Sequence, residues 1–377
     1  KQKEVANLPL SSLSSDAPVY DRKWKKNLIS KKKNLPKDFK SLKIFESLKK
    51  ILISPNNSEK SWVWEQYDHT VMGDTVQKPG GDSSVIRIHE KNKGVAMTVD
   101  SSSHYCLADP ITGGKQVVCE AWRNLISVGS KPIAITNCLN FGNPENPEIY
   151  SQLNHATSAL ADASKFFETP IISGNVSLYN ETPSGSIKPT PIISTLGKID
   201  SGTPIIKSGF ANKGDIVGII GVSKLDLTYS DLKGSEYENF FYNTITGIPT
   251  IDLNLEKDVQ NINRKLVKNK FLKSANDCSD GGLITTLLEK CFISNLGFEF
   301  TTTLPEEKLI PILFGECNSR IVISADQDNK ISIEKELNKA KRNYVQTYLP
   351  STKWKKISIK FSRPLIYYLQ ALYEKKN

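Results

Sequence analysis

PIAITNCLNFGNPENPEIYSQLNHATSALADASKFFETPIISGNVSLYNE, residues 132–181, is the stretch that decides the fold. It opens on a short apolar run, residues 132–136, in which Ile133 and Ile135 suit a buried strand. An Asn-dense polar loop follows over 137–145, then a long helical pattern within 147–167. A second apolar run, 170–173, gives way to another Asn/Ser-rich turn ending at Glu181. Strand, long helix, strand is the unit from which a sheet with covering helices is assembled.

The alternation continues outward. Residues 85–88 and 95–99 read as strands, 116–128 as a helix and 191–199 as the strand that closes this block. After Ser201 and Gly202 a second block opens with a strand at 215–220. Helices follow near 235–242, 255–271 and 281–293. Strands at 298–302 and 321–324 flank a helix at 306–313, and a Lys-rich helix at 333–342 precedes final elements at 357–361 and 365–373. The expected class is α/β plus α+β. The expected division is a basic connector at 1–60 holding one amphipathic helix (42–53), an α/β domain at 61–204 and an α+β domain at 205–377. At roughly 150 residues per domain, 377 residues accommodate the two.

Composition narrows the function. Apolar residues make up 38% and charged residues 24%, enough for a packed core. No apolar run approaches the roughly 20 residues that span a bilayer, and the N-terminus lacks a secretory pattern, so no membrane role is expected. The first residue is Lys, which points to a fragment or a processed chain. The net charge of +10 is local: residues 1–60 carry 15 Lys/Arg against 6 Asp/Glu, leaving +1 for the rest. A basic strip with Lys31, Lys32 and Lys33 and no stacking aromatics reads as a solvated connector, not a nucleic-acid site. Six cysteines show no C-x-x-C, and no histidines pair at metal-ligand spacing. A reducing, cytoplasmic location fits that usage.

Three loops could carry chemistry. Asp109 to Lys115, D-P-I-T-G-G-K, precedes a helix, where freed backbone N–H groups attract anions. It is not a Walker loop, because Gln116 follows Lys115, and a tight turn with a Gly cap is the plainer reading. The other two leave apolar strands at the end where α/β sheets bind ligands. In the third, Gly174 lets backbone approach a phosphate, and Asn175 and Ser177 alternate with Val176 and Leu178, placing both on one side. An Asn side-chain oxygen is a suitable magnesium ligand. The same Asn and Ser residues also suit plain turn capping.

Together these loops resemble those of phosphoribosylformylglycinamidine synthase, closest to the separate synthetase subunit of bacteria. The resemblance rests on Y-D-H-T-V-M-G-D-T-V-Q-K-P-G-G-D (67–82), N-C-L-N-F-G-N-P-E (137–145), S-G-N-V-S-L-Y-N-E (173–181), D-C-S-D-G-G-L (277–283) and F-G-E-C-N-S-R (314–320). It implies the second half of a two-half synthetase with an aminoimidazole-ribonucleotide-synthetase-like fold, residues 8–22 being the tail of the first half. It implies ATP and Mg2+ as cofactors, and as partners a glutaminase subunit, a small accessory subunit and the missing first half. Carried over by motif, Asn137 and Gly174 contact ATP, Asn175 binds magnesium and Ser177 contacts substrate. No catalytic residue is expected in this half, and His104 reads as a relic or a member of an auxiliary site. The resemblance departs at Asn137, usually Asp, which loses a negative charge, and at Asn276, usually His.

The activity implied is ATP-dependent conversion of formylglycinamide ribonucleotide to the amidine with glutamine-derived ammonia. A non-catalytic half that completes the fold and docks the glutaminase is the alternative. Aminoimidazole ribonucleotide synthetase itself is disfavoured by the two Asn-rich loops.

Overall fold

The computed structural model describes residues 3–25, 43–222, 227–302, 304–339, 357–361 and 363–374. Lys26 and residues 31–33 of the basic strip, and 340–342 of the Lys-rich helix, lie outside these. In chain order come α1 (Ile44–Leu52), α2 (Ser61–Trp64), β1 (Thr75–Gln77), β2 (Ser84–Ile88), β3 (Lys93–Ser101), α3 (Ser103–Ala108) and α4 (Pro110–Ser127). Next are β4 (Lys131–Asn140), α5 (Pro147–Phe166), β5 (Ile171–Ser177), the small hairpin β6 (Glu181–Thr182) and β7 (Gly185–Ser186), and β8 (Thr190–Ile199). The second block holds β9 (Ile216–Gly221), α6 (Glu236–Tyr242), α7 (Leu253–Lys268), β10 (Ser274–Asp277) and α8 (Gly282–Ser294). It ends with β11 (Phe298–Thr302), α9 (Glu306–Phe314), β12 (Arg320–Ala325), α10 (Lys330–Lys339), β13 (Ile357–Phe361) and α11 (Arg363–Tyr373).

One six-stranded sheet organises the first block, in the order β1-β2-β3-β8-β4-β5. Only β4 and β5, joined through α5, run parallel. The other pairs are antiparallel. Burial alternates along β8 because a single face is covered. Ile193 and Thr195 lie on the face packed by α4, while Ser194 and Leu196 stay half-buried on the other with Met97 and exposed Val99.

Asp109, not a glycine, caps α4: its carboxylate accepts from Ile111 N at 2.9 Å and Thr112 N at 3.3 Å, and Pro110 takes the first helical position. The expected glycine turn ahead of the helix is therefore corrected, since Gly113 and Gly114 sit inside α4 and are buried. A Cβ on Gly113 would come within 2.7 Å of the Cys106 backbone, and one on Gly114 within 2.9 Å of Ala156 O. These glycines let α3 and α5 approach α4.

In the second block β10-β12-β9 form an antiparallel sheet whose central strand is buried at every residue. β11 pairs with β13. α1 was expected within a solvated connector; instead Leu48, Ile51 and Leu52 are fully buried in a cluster with α8, α9 and α11. Its period places Ile44, Leu48, Ile51 and Leu52 on one face, which needs a core to cover it. A second cluster crosses between the blocks, joining Val117, Ile126 and Ile135 to Val259, Leu266 and Ile321.

Candidate functional site

Asn137, Gly174, Asn175 and Ser177 all belong to strands, because β4 runs on to Asn140 and β5 to Ser177. The expectation that strands end before these residues is corrected: parallel pairing persists through Asn137↔Gly174, Cys138↔Asn175 and Asn140↔Ser177. Paired residues share a sheet face and successive ones alternate. Asn175 and Ser177 therefore share one face, as their spacing predicts. Asn137 and Gly174 share the other. The four residues form two pairs on opposite faces of the β4–β5 ladder.

Gly174 is exposed, and the space its side chain would fill is taken by Asn137: a Cβ there would overlap Oδ1 and lie 3.1 Å from the backbone oxygen. Backbone can be approached closely only while this position stays glycine. Exposed Asn175 turns its amide nitrogen toward Cys138 Sγ at 3.8 Å, which directs its side-chain oxygen elsewhere. That oxygen suits a hard cation as one ligand among several. Ser177 Oγ exchanges hydrogen bonds with the Asn180 side chain at 3.1 and 3.3 Å.

The loops beyond the strands are stitched together. Asn180 Nδ2 donates to Phe141 O at 3.0 Å, Tyr179 N to Gly142 O at 3.0 Å, and Asn143 N to Glu181 Oε1 at 3.1 Å. Tyr179 adopts φ +59°, a left-handed conformation uncommon for a bulky side chain.

A second polar cluster lies between the blocks; the motifs at 67–82, 277–283 and 314–320 supply much of it, but nothing local in the sequence showed that they meet. Asp82 accepts from Asp277 N at 2.6 Å and from Asn276 Nδ2 at 3.0 Å. Burial, then the charge of Asp277, pushes the Asp82 pKa up to about 7. Burial likewise carries Asp100, which accepts from Asn124 Nδ2 at 2.7 Å, to about 7. Arg123 is enclosed by Asp277 and Glu256, each at 2.5 Å. His104, Asp280 and Glu316 could each offer a ligand atom, all within 4.8 Å of one another. Glu316, however, already accepts from Glu236 N and Gly281 N at 2.8 Å and from Tyr105 Oη. Burial lowers the His104 pKa, so this ring is neutral at ordinary pH.

Residues 80–199 match the AIR synthase related protein N-terminal domain, and residues 219–343 match the C-terminal domain. The chain belongs to the AIR synthase related family. Within it, the sequence is 44% identical over 330 residues to phosphoribosylformylglycinamidine synthase subunit PurL of Pelagibacter ubique, covering 87% of this chain and 44% of that protein. It is 39% identical over 356 residues to PurL of Methanocaldococcus jannaschii, covering 90% and 47%. The chain thus spans about half the length of the curated relatives it matches. The structure of PurLQS from Thermotoga maritima superimposes with a TM-score of 0.51 at 27% identity, over 72% of this chain and 39% of that one. A HypE–HypF complex, at 16% identity and TM-score 0.55 over 76% and 91%, shares the fold alone. The α/β plus α+β architecture of the AIR synthase related family is thereby the architecture of this chain.

Proposed function

We propose that this chain is the second half of a phosphoribosylformylglycinamidine synthase, one that uses ATP and magnesium to convert formylglycinamide ribonucleotide to its amidine with ammonia. The observation that carries the reading is the β4–β5 ladder. It sets Gly174 beside Asn137 on one face and Asn175 with Ser177 on the other, along the edge strand β5, around whose open edge both faces can reach one ligand, in a chain 44% identical to a PurL. A solved PurL of Thermotoga maritima is complexed with ADP, at 26% identity and TM-score 0.50 over 71% of this chain and 38% of that one. Gly174 and Asn137 would hold ATP, Asn175 would supply one oxygen to magnesium, and Ser177 would contact the substrate. ATP and magnesium would supply a transferable phosphoryl group and neutralise its charge. The chain's own residues orient: the Gly174 backbone admits a phosphate, and the Asn180 bond sets the direction of the Ser177 hydroxyl.

The chain covers 44% of a PurL relative, which supports a reading in which the reacting centre is completed by another half. The sheet face bearing Met97, Val99 and Leu196 is the surface we assign to that half, since its half-buried apolar residues suit a second sheet. A glutaminase and a small accessory subunit complete the assembly, in keeping with the PurLQS neighbour. Among the described residues all six cysteines are free and no helix is long and apolar enough to cross a membrane; we assign a cytoplasmic location on the cysteines. The domain division near residue 205 follows the two family matches, with α1 added to the second unit.

One observation favours the alternative of a scaffold half: a neutral Asn137 fills the space over Gly174, at a position where the resembled synthases usually carry Asp. Direct assay separates the two. Ammonia and ATP are supplied to the 377-residue chain alone and to the chain joined with the first half of a PurL. Turnover only in the joined protein, lost on substituting Asn175 and Ser177 together, supports the catalytic reading. Full turnover by the doubly substituted joined protein leaves the scaffold reading.

A further inference from the structure

Residues 20–25 run along the surface of the first block, yet they meet both Asn-rich loops. Lys25 N donates to Ser151 Oγ at 2.7 Å, reaching a residue that is fully buried on α5. Lys25 Nζ pairs with Glu148 at 3.1 Å in the first turn of the same helix. His155 Nε2 lies 3.3 Å from Lys25 O, and the Trp24 ring stands edge-on to His155 at 5.7 Å. These contacts fix where the segment sits.

They also deliver Arg22 to the site. Its Nη2 donates to Tyr179 Oη at 3.4 Å, and its Nη1 lies 3.8 Å from Glu145 Oε1. Tyr179 Oη in turn donates to Glu145 at 3.1 Å. Glu145 closes the first Asn-rich loop, and Tyr179 stands two residues after Ser177 in the second. Tyr179 is also the residue in the left-handed conformation, which persists only where the surroundings hold it.

We propose that residues 20–25 form a strap, that Arg22 is a positioning residue joining the two loops, and that seating of the strap sets the placement of Ser177. The inference rests on the reading of Ser177 as a substrate contact. The strap packs on α5, in the helix layer of the first block, so its seating on that helix and order at the substrate loop are coupled through Arg22.

Hydrogen exchange on the 377-residue chain tests the strap without any assay of activity. In Arg22→Ala, a peptide spanning residues 177–181 is expected to exchange about two- to fivefold faster, the range for losing an exposed charged contact. Arg22→Lys restores part of the protection, because a point charge replaces a fork. Trp24→Ala loosens the same peptide by unseating the strap, and peptides of α4 keep their rates. Parent rates at 177–181 in both Arg22→Ala and Trp24→Ala overturn the strap, whatever the kinetics. In the joined synthetase, Arg22→Ala is expected to raise KM for formylglycinamide ribonucleotide about two- to fivefold with kcat little changed. Faster exchange with an unchanged KM upholds the strap and overturns Ser177 as a substrate contact.

Discussion

Arg123 Nε lies 2.5 Å from Asp277 Oδ1, an ion pair between α4 of the first block and β10 of the second. Both side chains are almost fully buried, at 1% and 2% exposure, and Arg123 Nη1 reaches Glu256 at the same distance. Burial opposes the charge on Arg123, but Asp277 and Glu256 outweigh it and hold the guanidinium protonated. This contact fixes the relative placement of the two blocks. Arg123→Met leaves two buried carboxylates facing each other and is expected to cost about 3–5 kcal/mol in urea unfolding. Adding Asp277→Asn and Glu256→Gln should recover part of the loss. A single variant within about 1 kcal/mol of the parent would remove this pair from the account of interdomain order.

Lys290 carries a pH dependence. It is fully buried, and its Nζ donates to Ser208 O at 2.8 Å and to Asn276 Oδ1. Burial lowers its pKa from 10.5 to about 7, against the raising charge of Asp82. A lysine depressed on folding contributes stability that is full above its unfolded value of 10.5 and lost as pH falls through about 7. Asp82, raised from 3.8 to about 7, acts oppositely: its contribution is full below 3.8 and lost as pH rises through about 7. Lys290→Met deletes the lysine limb and, because the Lys290 charge also lowers the Asp82 pKa, pushes that carboxyl further up. At about pH 10, where folded Lys290 is neutral, the variant should be less stable by about 1–3 kcal/mol for the acceptors left unpaired. Between about pH 10 and about 7 its stability should fall less than the parent's. Parallel curves would mean that Lys290 does not titrate in this window.

The glycines of α4 show where sequence reading stopped. Two glycines near a helix start look alike whether they cradle an anion or admit a neighbouring helix. The discriminating signal was Asp109-Pro110, a cap followed by the residue best suited to the first turn, which moves the helix start ahead of both glycines. Gly114→Ala should therefore cost about 1–3 kcal/mol through overpacking on Ala156 and Ala159. Nucleotide affinity should not change. A loss of affinity with stability intact would return the pair to an anion-binding role.

Local periodicity revealed more of the ladder than of the interdomain cluster. Asn175 and Ser177 sit two apart in one strand, so alternation alone places them on one face. The partnership of Asn137 with Gly174 needed strand pairing, which no local pattern specifies. Asp82, Asp100, Asp277 and Glu316 come from four separated stretches, and only tertiary packing brings them near Arg123 and Tyr105. The core-facing period of α1 was legible, but the identity of the core it covers was not.

Asn175→Ala and Ser177→Ala should fail differently in the joined synthetase. The first removes an oxygen ligand from an exposed position and should raise the magnesium requirement while the fold survives. The second removes one neutral hydrogen bond and should weaken substrate binding by about 0.5–1.5 kcal/mol. Steady-state titrations of magnesium and of substrate separate the two. Identical responses in both titrations would dissolve the division of roles.

Gly174 and Asn137 make the sharpest test, because they occupy one another's space. A methyl group at Gly174 overlaps Asn137 Oδ1, so Gly174→Ala must rotate Asn137 away or push the strands apart. If Asn137 reaches ATP through that oxygen, displacing it should lower nucleotide affinity at least as much as Asn137→Ala does. The expected loss is about 1 kcal/mol, one neutral hydrogen bond. Combining the two substitutions should cost less than their sum, since alanine at 137 vacates the volume that the new methyl needs. The cycle is read by nucleotide titration of parent, both single variants and the double variant, with circular dichroism to confirm folding. A coupling of about 0.5 kcal/mol or more in the compensating direction places Asn137 and Gly174 in one nucleotide-contacting unit. Strict additivity means that Gly174 acts on the nucleotide without Asn137, and the reading of Asn137 as a second contact fails.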